Sequence, residues 1–413
     1  MTLETGDAAS GRRAWTAVAI VFVTVAFAGG IWHMFGIFVK PIEAEFQATR
    51  TSVSLVVSSS QFVYFLMMMI MGRILDRFGP RGVIVTGTAV LGVGALLCSV
   101  AGSIWQMNLT YGVVLALGYS MSTINVSSVA VTQWFARRRG LAVGVALAGF
   151  NAGQLVLLPL TQFWVLLHGW RNAFAGLGLV TLLLPLPLAF IFLRNGPYRS
   201  SRQEAPVTPE GSRDAAGGAL KSRSFWFLAI SFFACGFSDF VLAAHLPPFA
   251  VDAGISPWLS GSANGLMGGI SVAGVIFLGA LSDRIGRRRP LAFIYIVRAA
   301  SFFFLPWIRD AAELWIFIWV YGFFYFATTP MTSTAAADIF GPERLGKLFG
   351  YIVGAHGLGA MSGPFVAGAL FDVLGTYTAA FLGTGIILLM AAACCTLIED
   401  PIGDEHRKRR SSA

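Results

Sequence analysis

The chain has 413 residues, 56% of them hydrophobic and 12% charged, with a formal net charge of +9. A water-soluble chain of this length cannot hide so much apolar surface in one core, so lipid must cover much of it. The basic excess carries no basic-aromatic pattern of a nucleic-acid face, and no nucleic-acid partner is expected.

Apolar stretches of about 20 residues, the length that crosses a bilayer as a helix, recur along the whole sequence. In chain order the predicted spans are 15–38, 53–75, 82–102, 105–130, 140–163 and 171–193, then 224–250, 258–281, 290–308, 311–337, 346–371 and 376–397. The runs are continuously apolar, where a membrane β-barrel would alternate, so the expected fold is an all-α membrane protein. Arg12 and Arg13 resemble a signal-peptide head, but the apolar run behind them is long and has no small-residue cleavage site; it reads as the first span. Cys98, Cys235, Cys394 and Cys395 all fall inside predicted spans, which implies no disulfide framework.

Of the 29 Lys and Arg residues, 24 fall in alternate connections and tails, whereas Lys40, Arg50, Arg171 and Arg309 lie on the other side. That asymmetry places both termini in the cytoplasm of a bacterial inner membrane and suggests contact with anionic lipid. The expected organisation is an N-terminal tail (1–14), a six-helix bundle (15–193), a polar linker (194–223), a second six-helix bundle (224–397) and a basic tail (398–413). The two bundles echo each other. Gly72, Asp76, Arg77 and Gly79 recur at an offset of 207 as Gly279, Asp283, Arg284 and Gly286, and Arg138, Gly144 and Gly153 recur at 206 as Arg344, Gly350 and Gly359. Duplicated parallel halves are the layout of many secondary transporters.

The stretches Gly72-Arg-Ile-Leu-Asp-Arg-Phe-Gly-Pro-Arg81 and Gly279-Ala-Leu-Ser-Asp-Arg-Ile-Gly-Arg-Arg-Arg289 resemble the loop signature of the major facilitator superfamily. Here Gly72 and Gly279 are expected to let helices approach closely. Asp76 or Asp283 at the membrane edge is expected to accept from a neighbouring helix N-terminus and from Arg, and with Arg77 and Arg284 to form a latch favouring one conformational state. Trp134-Phe-Ala-Arg-Arg-Arg-Gly-Leu-Ala-Val-Gly144, Phe340-Gly-Pro-Glu-Arg-Leu-Gly-Lys-Leu-Phe-Gly350, Gly363-Pro364 and the run from Gly368 to Asp372 resemble the monocarboxylate transporter family and its bacterial relatives. The resemblance implies alternating access and, commonly, import of a monocarboxylate with a proton. Many members of that family carry an Arg in span 8, yet residues 258–281 contain no ionisable side chain. The positive charge must then come from elsewhere. Gly140, Gly144, Gly149 and Gly153, like Gly350, Gly354 and Gly359, are expected to permit tight helix packing.

A charged side chain at the centre of a span costs about 2.5–3.5 kcal/mol on insertion scales, so each one is a functional candidate. Arg298 is the base well inside a span and the first candidate for a substrate carboxylate, which a guanidinium can grip bidentately; the alternative is a structural pairing with Asp239. Asp239 and His245 are candidates for carrying a proton. His245 precedes Pro247-Pro248, which suggests a discontinuous helix beside a cavity. His33 and His356 are further candidates, with Tyr119, Asn125, Asn151, Tyr321 and Tyr325 as lesser ones that would contact substrate or bond helix to helix.

The chain shows no phosphate-cradling loop, nucleophile elbow or metal-spaced His/Cys cluster, so the reading is a transporter with no enzymatic activity, cofactor or metal. The leading expectation is a monomeric, proton-coupled carrier of a small organic anion. The alternatives are a carrier of a bulkier amphipathic compound, suggested by 35 Phe and 11 Trp, and a non-transporting membrane sensor.

Overall fold

A computed structural model describes residues 4–135, 139–196 and 222–400. Most of the expected linker and basic tail, and Arg138 of the repeat, lie outside these residues. The described chain is helical throughout, in two compact units: Met1–Ala48 with Ser59–Pro206, and Thr49–Ser58 with Val207–Ala413.

In the first unit, α1 (Glu4–His33) yields at Met34 to the short α2 (Phe35–Phe46). Helix α3 (Arg50–Ser99) follows and begins within the second unit. The next span is assembled from α4 (Ile104–Leu109), a π-helical turn (Thr110–Leu115), α5 (Ala116–Met121) and α6 (Ile124–Thr132). Then come α7 (Arg139–Leu183) and α8 (Pro185–Phe192). The second unit contains α9 (Arg223–Asp252), α10 (Pro257–Ile285), α11 (Arg288–Phe304), α12 (Ala311–Phe324), α13 (Thr328–Phe340), α14 (Pro342–Leu374) and α15 (Thr378–Thr396).

Ten stretches are long and apolar enough to span a membrane, and two of them, of 50 and 54 residues, are each more than twice the length required. Each breaks at a glycine with positive φ: Gly79 (69°) in α3 and Gly169 (81°) in α7. A side chain disfavours that backbone region, so glycine sets the turn. The described residues therefore make twelve crossings. The partners of these glycines at the repeat offsets, Gly286 (88°) and Gly375 (69°), also have positive φ and end α10 and α14.

The repeat extends to packing. A Cβ on Gly153 would stand 1.9 Å from the Ala26 carbonyl oxygen, and one on Gly359 would stand 2.1 Å from that of Phe233. Ala26 and Phe233 are 207 positions apart, and the two glycines 206. Each unit thus uses the same backbone-to-backbone crossing, α1 against α7 and α9 against α14. The close packing expected of the glycines holds at Gly149, Gly153 and Gly359 but is not found at Gly72, Gly140, Gly144, Gly279 or Gly350. No described heavy atom lies within 4 Å of a Cβ built on any of these five.

The discontinuity expected at Pro247-Pro248 is not found: α9 runs unbroken through both. Pro247 has no N–H to offer the Ala243 carbonyl one turn back. Asn264 of α10 supplies the missing donor, its Nδ2 bonding that carbonyl at 3.2 Å, while the Ser260 hydroxyl donates to the Pro247 carbonyl at 2.6 Å. The Ala243 carbonyl that Pro247 frees is thus satisfied sideways, by a neighbouring helix.

Carboxylates hold several helix starts and breaks. Asp372 accepts from the backbone N–H of Arg50 (2.9 Å) and Thr51 (2.8 Å) at the first turn of α3. Asp400 accepts from Arg287 (3.1 Å) and Arg288 (3.3 Å) at the start of α11. Both place negative charge on the positive end of a helix. Replacing Asp372 with alanine is therefore expected to lower stability by about 0.5–2 kcal/mol, and replacement with asparagine by less, since a neutral acceptor remains. Thermal unfolding of the two variants checks this ordering. Beside the break in α7, Arg171 donates to Glu45 (2.6 Å) and to the Ser99 carbonyl (2.9 Å); those bonds hold the Glu45 carboxyl below its usual range.

Candidate functional site

A buried ionic cluster stands inside the second unit, and it gathers five of the sequence-predicted candidates. Arg298 sits ten residues into α11 and has no solvent exposure. Its guanidinium is paired with Asp239 of α9 and also donates to the Ser238 hydroxyl (2.7 Å) and the Tyr321 hydroxyl (2.7 Å). The other terminal nitrogen faces Cys235 Sγ (3.4 Å) and the Tyr325 carbonyl (3.5 Å). Asp239 accepts further from the Tyr321 hydroxyl (3.2 Å) and the Cys235 thiol (3.3 Å), and Cys235 also bonds Thr328 at 3.1 Å. Tyr321 additionally places its ring 5.1 Å from the guanidinium carbon.

The pair is asymmetric in access. The Arg298 side chain is 0% exposed and that of Asp239 10%, so the carboxylate is the end of the pair that an outside group meets first. His356 of α14 completes the cluster: one ring nitrogen, Cys235 Sγ and an Asp239 oxygen all lie within 4.8 Å of one another. Three donors at that spacing resemble a metal site. The guanidinium already bonded to Asp239 opposes a second cation there, and the charges balance without one.

His245 lies six residues beyond Asp239, about 9 Å farther along α9 at 1.5 Å per residue, in a different set of contacts. Its Nε2 faces the Pro364 carbonyl (2.9 Å), which can only accept, so that nitrogen carries the hydrogen. Nδ1 then accepts from the Tyr377 hydroxyl at 3.0 Å. The Tyr377 oxygen in turn accepts from Arg50, whose guanidinium lies 4.4 Å from the Phe371 ring centre and 3.8 Å from an Asp252 oxygen. His245 thus has both ring nitrogens engaged.

In the first unit the corresponding place is aromatic. Trp32, 207 positions before Asp239, stacks on Tyr119 with ring centres 3.9 Å apart, and Tyr119 is 206 positions before Tyr325. Tyr64 leans on both rings. His33 is buried, its Nδ1 3.1 Å from the Gly29 carbonyl and its ring edge-on to Phe150. Asn125 is exposed and reaches Met68 Sδ at 3.5 Å; the amide oxygen of Asn151 has no hydrogen-bond partner among the described residues.

Around the signature loops, Asp283 pairs with Arg287 (2.6 Å), which also reaches Asp338 (3.1 Å), while Arg284 is in none of the ion pairs among the described residues. Two aspartates outweigh the partial burial of Arg287 and raise its already high pKa. In the first copy Arg81 bonds Asn195 (3.1 Å) and the Phe190 carbonyl (2.8 Å), and Arg77 lies against the Phe78 ring. The basic partner of Asp283 among the described residues is thus four residues on, one helical turn.

Cys235, Thr328, Arg50 and Tyr377 were not singled out for the site from sequence. Cys235 was legible in principle, being one turn before Asp239 and so on its face. Arg50 and Tyr377 carry no signal, because the bonds that join them to each other and Tyr377 to His245 span 327 and 132 residues.

Twelve apolar crossings in two repeated units, with one buried ion pair reachable at its acidic end, define a polytopic membrane carrier. The chain belongs to the Major Facilitator Superfamily, whose family model matches residues 21–328 and 273–412. It is 24% identical over 410 residues to the oxalate:formate antiporter of Oxalobacter formigenes, covering 95% of this chain and 93% of that one. It is 24% identical to monocarboxylate transporter 12 of Rattus norvegicus, covering 92% and 84%. In fold it resembles a bacterial homologue of the human lysosomal transporter Spinster, crystallised inward-facing and unoccupied, with a TM-score of 0.76, 16% identity and coverage of 96% and 98%. The chain is thus a transporter-family protein and not an enzyme.

Proposed function

We propose that this protein is a secondary transporter of small monocarboxylates that works by alternating access and carries one proton with each anion. The observation that bears most weight is the enclosed Arg298–Asp239 pair. The pair is neutral as it stands. An entering carboxylate would make the cluster negative inside a low-dielectric span, which is strongly unfavourable. Protonation of Asp239 removes that excess: the guanidinium is released to the substrate and the site stays neutral. Asp239 fits the proton role better than His245, whose two nitrogens are both committed. The curated relatives named for monocarboxylate transport and for oxalate and formate point to the same substrate class.

The positive-inside count supports a bacterial inner-membrane location with cytoplasmic termini, and nothing in the mechanism requires more than a monomer in lipid. A second reading, exchange of one carboxylate for another without a proton, is favoured by the relative named as an antiporter.

Proteoliposomes tested with labelled formate, lactate and oxalate separate the two. In weakly buffered medium, a pulse of the transported acid is expected to alkalinise the exterior in step with uptake. Uptake with no pH change, dependent on carboxylate loaded inside, would replace proton coupling by exchange.

A further inference from the structure

We propose that His356 is the proton donor to Asp239: protons reach the buried carboxylate through its imidazole. This deepens the proton-coupled reading above and rests on it. Asp239 is almost closed off, hemmed by Arg298, Tyr321 and Cys235. His356 stands beside that ring. It is only partly buried, its nearer nitrogen is within 4.8 Å of an Asp239 oxygen, and its ring nitrogens have no hydrogen-bond partner among the described residues. That gap closes through a small side-chain rotation or one bridging water.

The backbone explains why the imidazole is held there. A Cβ on Gly236 would lie 2.1 Å from the His356 carbonyl oxygen, and one on Gly359 the same distance from that of Phe233. Helices α9 and α14 therefore touch backbone to backbone at this height, and His356 is pinned beside Cys235 and Asp239, one residue before and three residues after Gly236 on α9. The Phe232 ring, 4.7 Å away, covers the imidazole on another side.

The groups facing His356 also suit a relay. From α9 come Asp239 and Cys235, and from α11 Arg298, itself bonded to Tyr321 and to the Tyr325 carbonyl. The transfer balances: one ring nitrogen takes a proton from hydronium, the nitrogen facing Asp239 gives one to the carboxylate, and the ring returns to neutral with water released. Asp239, now uncharged, releases Arg298.

The test uses purified full-length protein in lipid and follows the infrared carboxyl signal of protonated Asp239 after a rapid pH drop, so no substrate need be known. Asp239→Asn identifies the signal by losing it. His356→Gln and His356→Ala are expected to keep its final amplitude but slow its rise on the order of a hundredfold, and added imidazole should restore the rate in His356→Ala. A rise as fast as in the wild-type protein in both variants would overturn the relay while leaving Asp239 as the proton site. Absence of an Asp239 signal in the wild-type protein would overturn the underlying reading itself. Because two different replacements and a chemical rescue are compared, misfolding of one variant does not decide the result.

Discussion

Replacing Arg298 with alanine is expected to abolish carboxylate uptake and to destabilise the protein by about 3–5 kcal/mol, the range for removing one partner of a buried ion pair. The loss in stability comes chiefly from Asp239, left charged and desolvated with no counter-ion. A double variant, Arg298→Gln with Asp239→Asn, removes both charges and keeps hydrogen-bonding groups beside Ser238 and Tyr321. It is expected to recover most of the melting temperature in detergent while remaining inactive. That pairing separates architecture from transport. If the double variant regained both stability and uptake, the ion pair would be a structural element only, and the anion would be recognised elsewhere.

The second large effect is expected at Gly359. A Cβ there would meet the Phe233 carbonyl oxygen at 2.1 Å, a distance no real Cβ adopts, and the obstacle is backbone that cannot rotate away. Gly359→Ala must push α14 off α9 by about 1 Å, with an overpacking penalty of about 1–3 kcal/mol. The same displacement carries His356 away from Asp239, so uptake should fall by at least about tenfold. Gly144→Ala and Gly350→Ala are the controls. Both replace glycines of the same repeat that have open space, and both are expected to gain about 0.5–1 kcal/mol from better helix propensity. Unfolding and uptake measured on the three variants check the contrast. Equal losses at all three positions would show that the repeat's glycines act through flexibility and not through this crossing.

Much of the architecture was legible because it follows from composition. Apolar runs of bilayer length give crossings, and the 207-residue echo gives two units whose breaks fall on matching glycines. Arg298 and Asp239 were legible for an energetic reason: a charge deep in a span stands out against its insertion cost. Their pairing was one of two open readings, and only the coordinates show how fully Arg298 is enclosed. The role of each glycine was not legible. Gly144 and Gly153 look alike in sequence, yet only Gly153 faces a neighbouring backbone. Pro247-Pro248 misled because the compensating donor, Asn264, lies on the next helix. A local rule about proline sees the lost bond but not its replacement.

That replacement has a mechanical meaning. A helix whose carbonyls are served by Asn264 and Ser260 of its neighbour cannot twist or slip along it without exposing those oxygens to hydrocarbon. Helices α9 and α10 are in effect stapled into one stiff lever, and any swing that carries Asp239 must take the uncharged span beside it along.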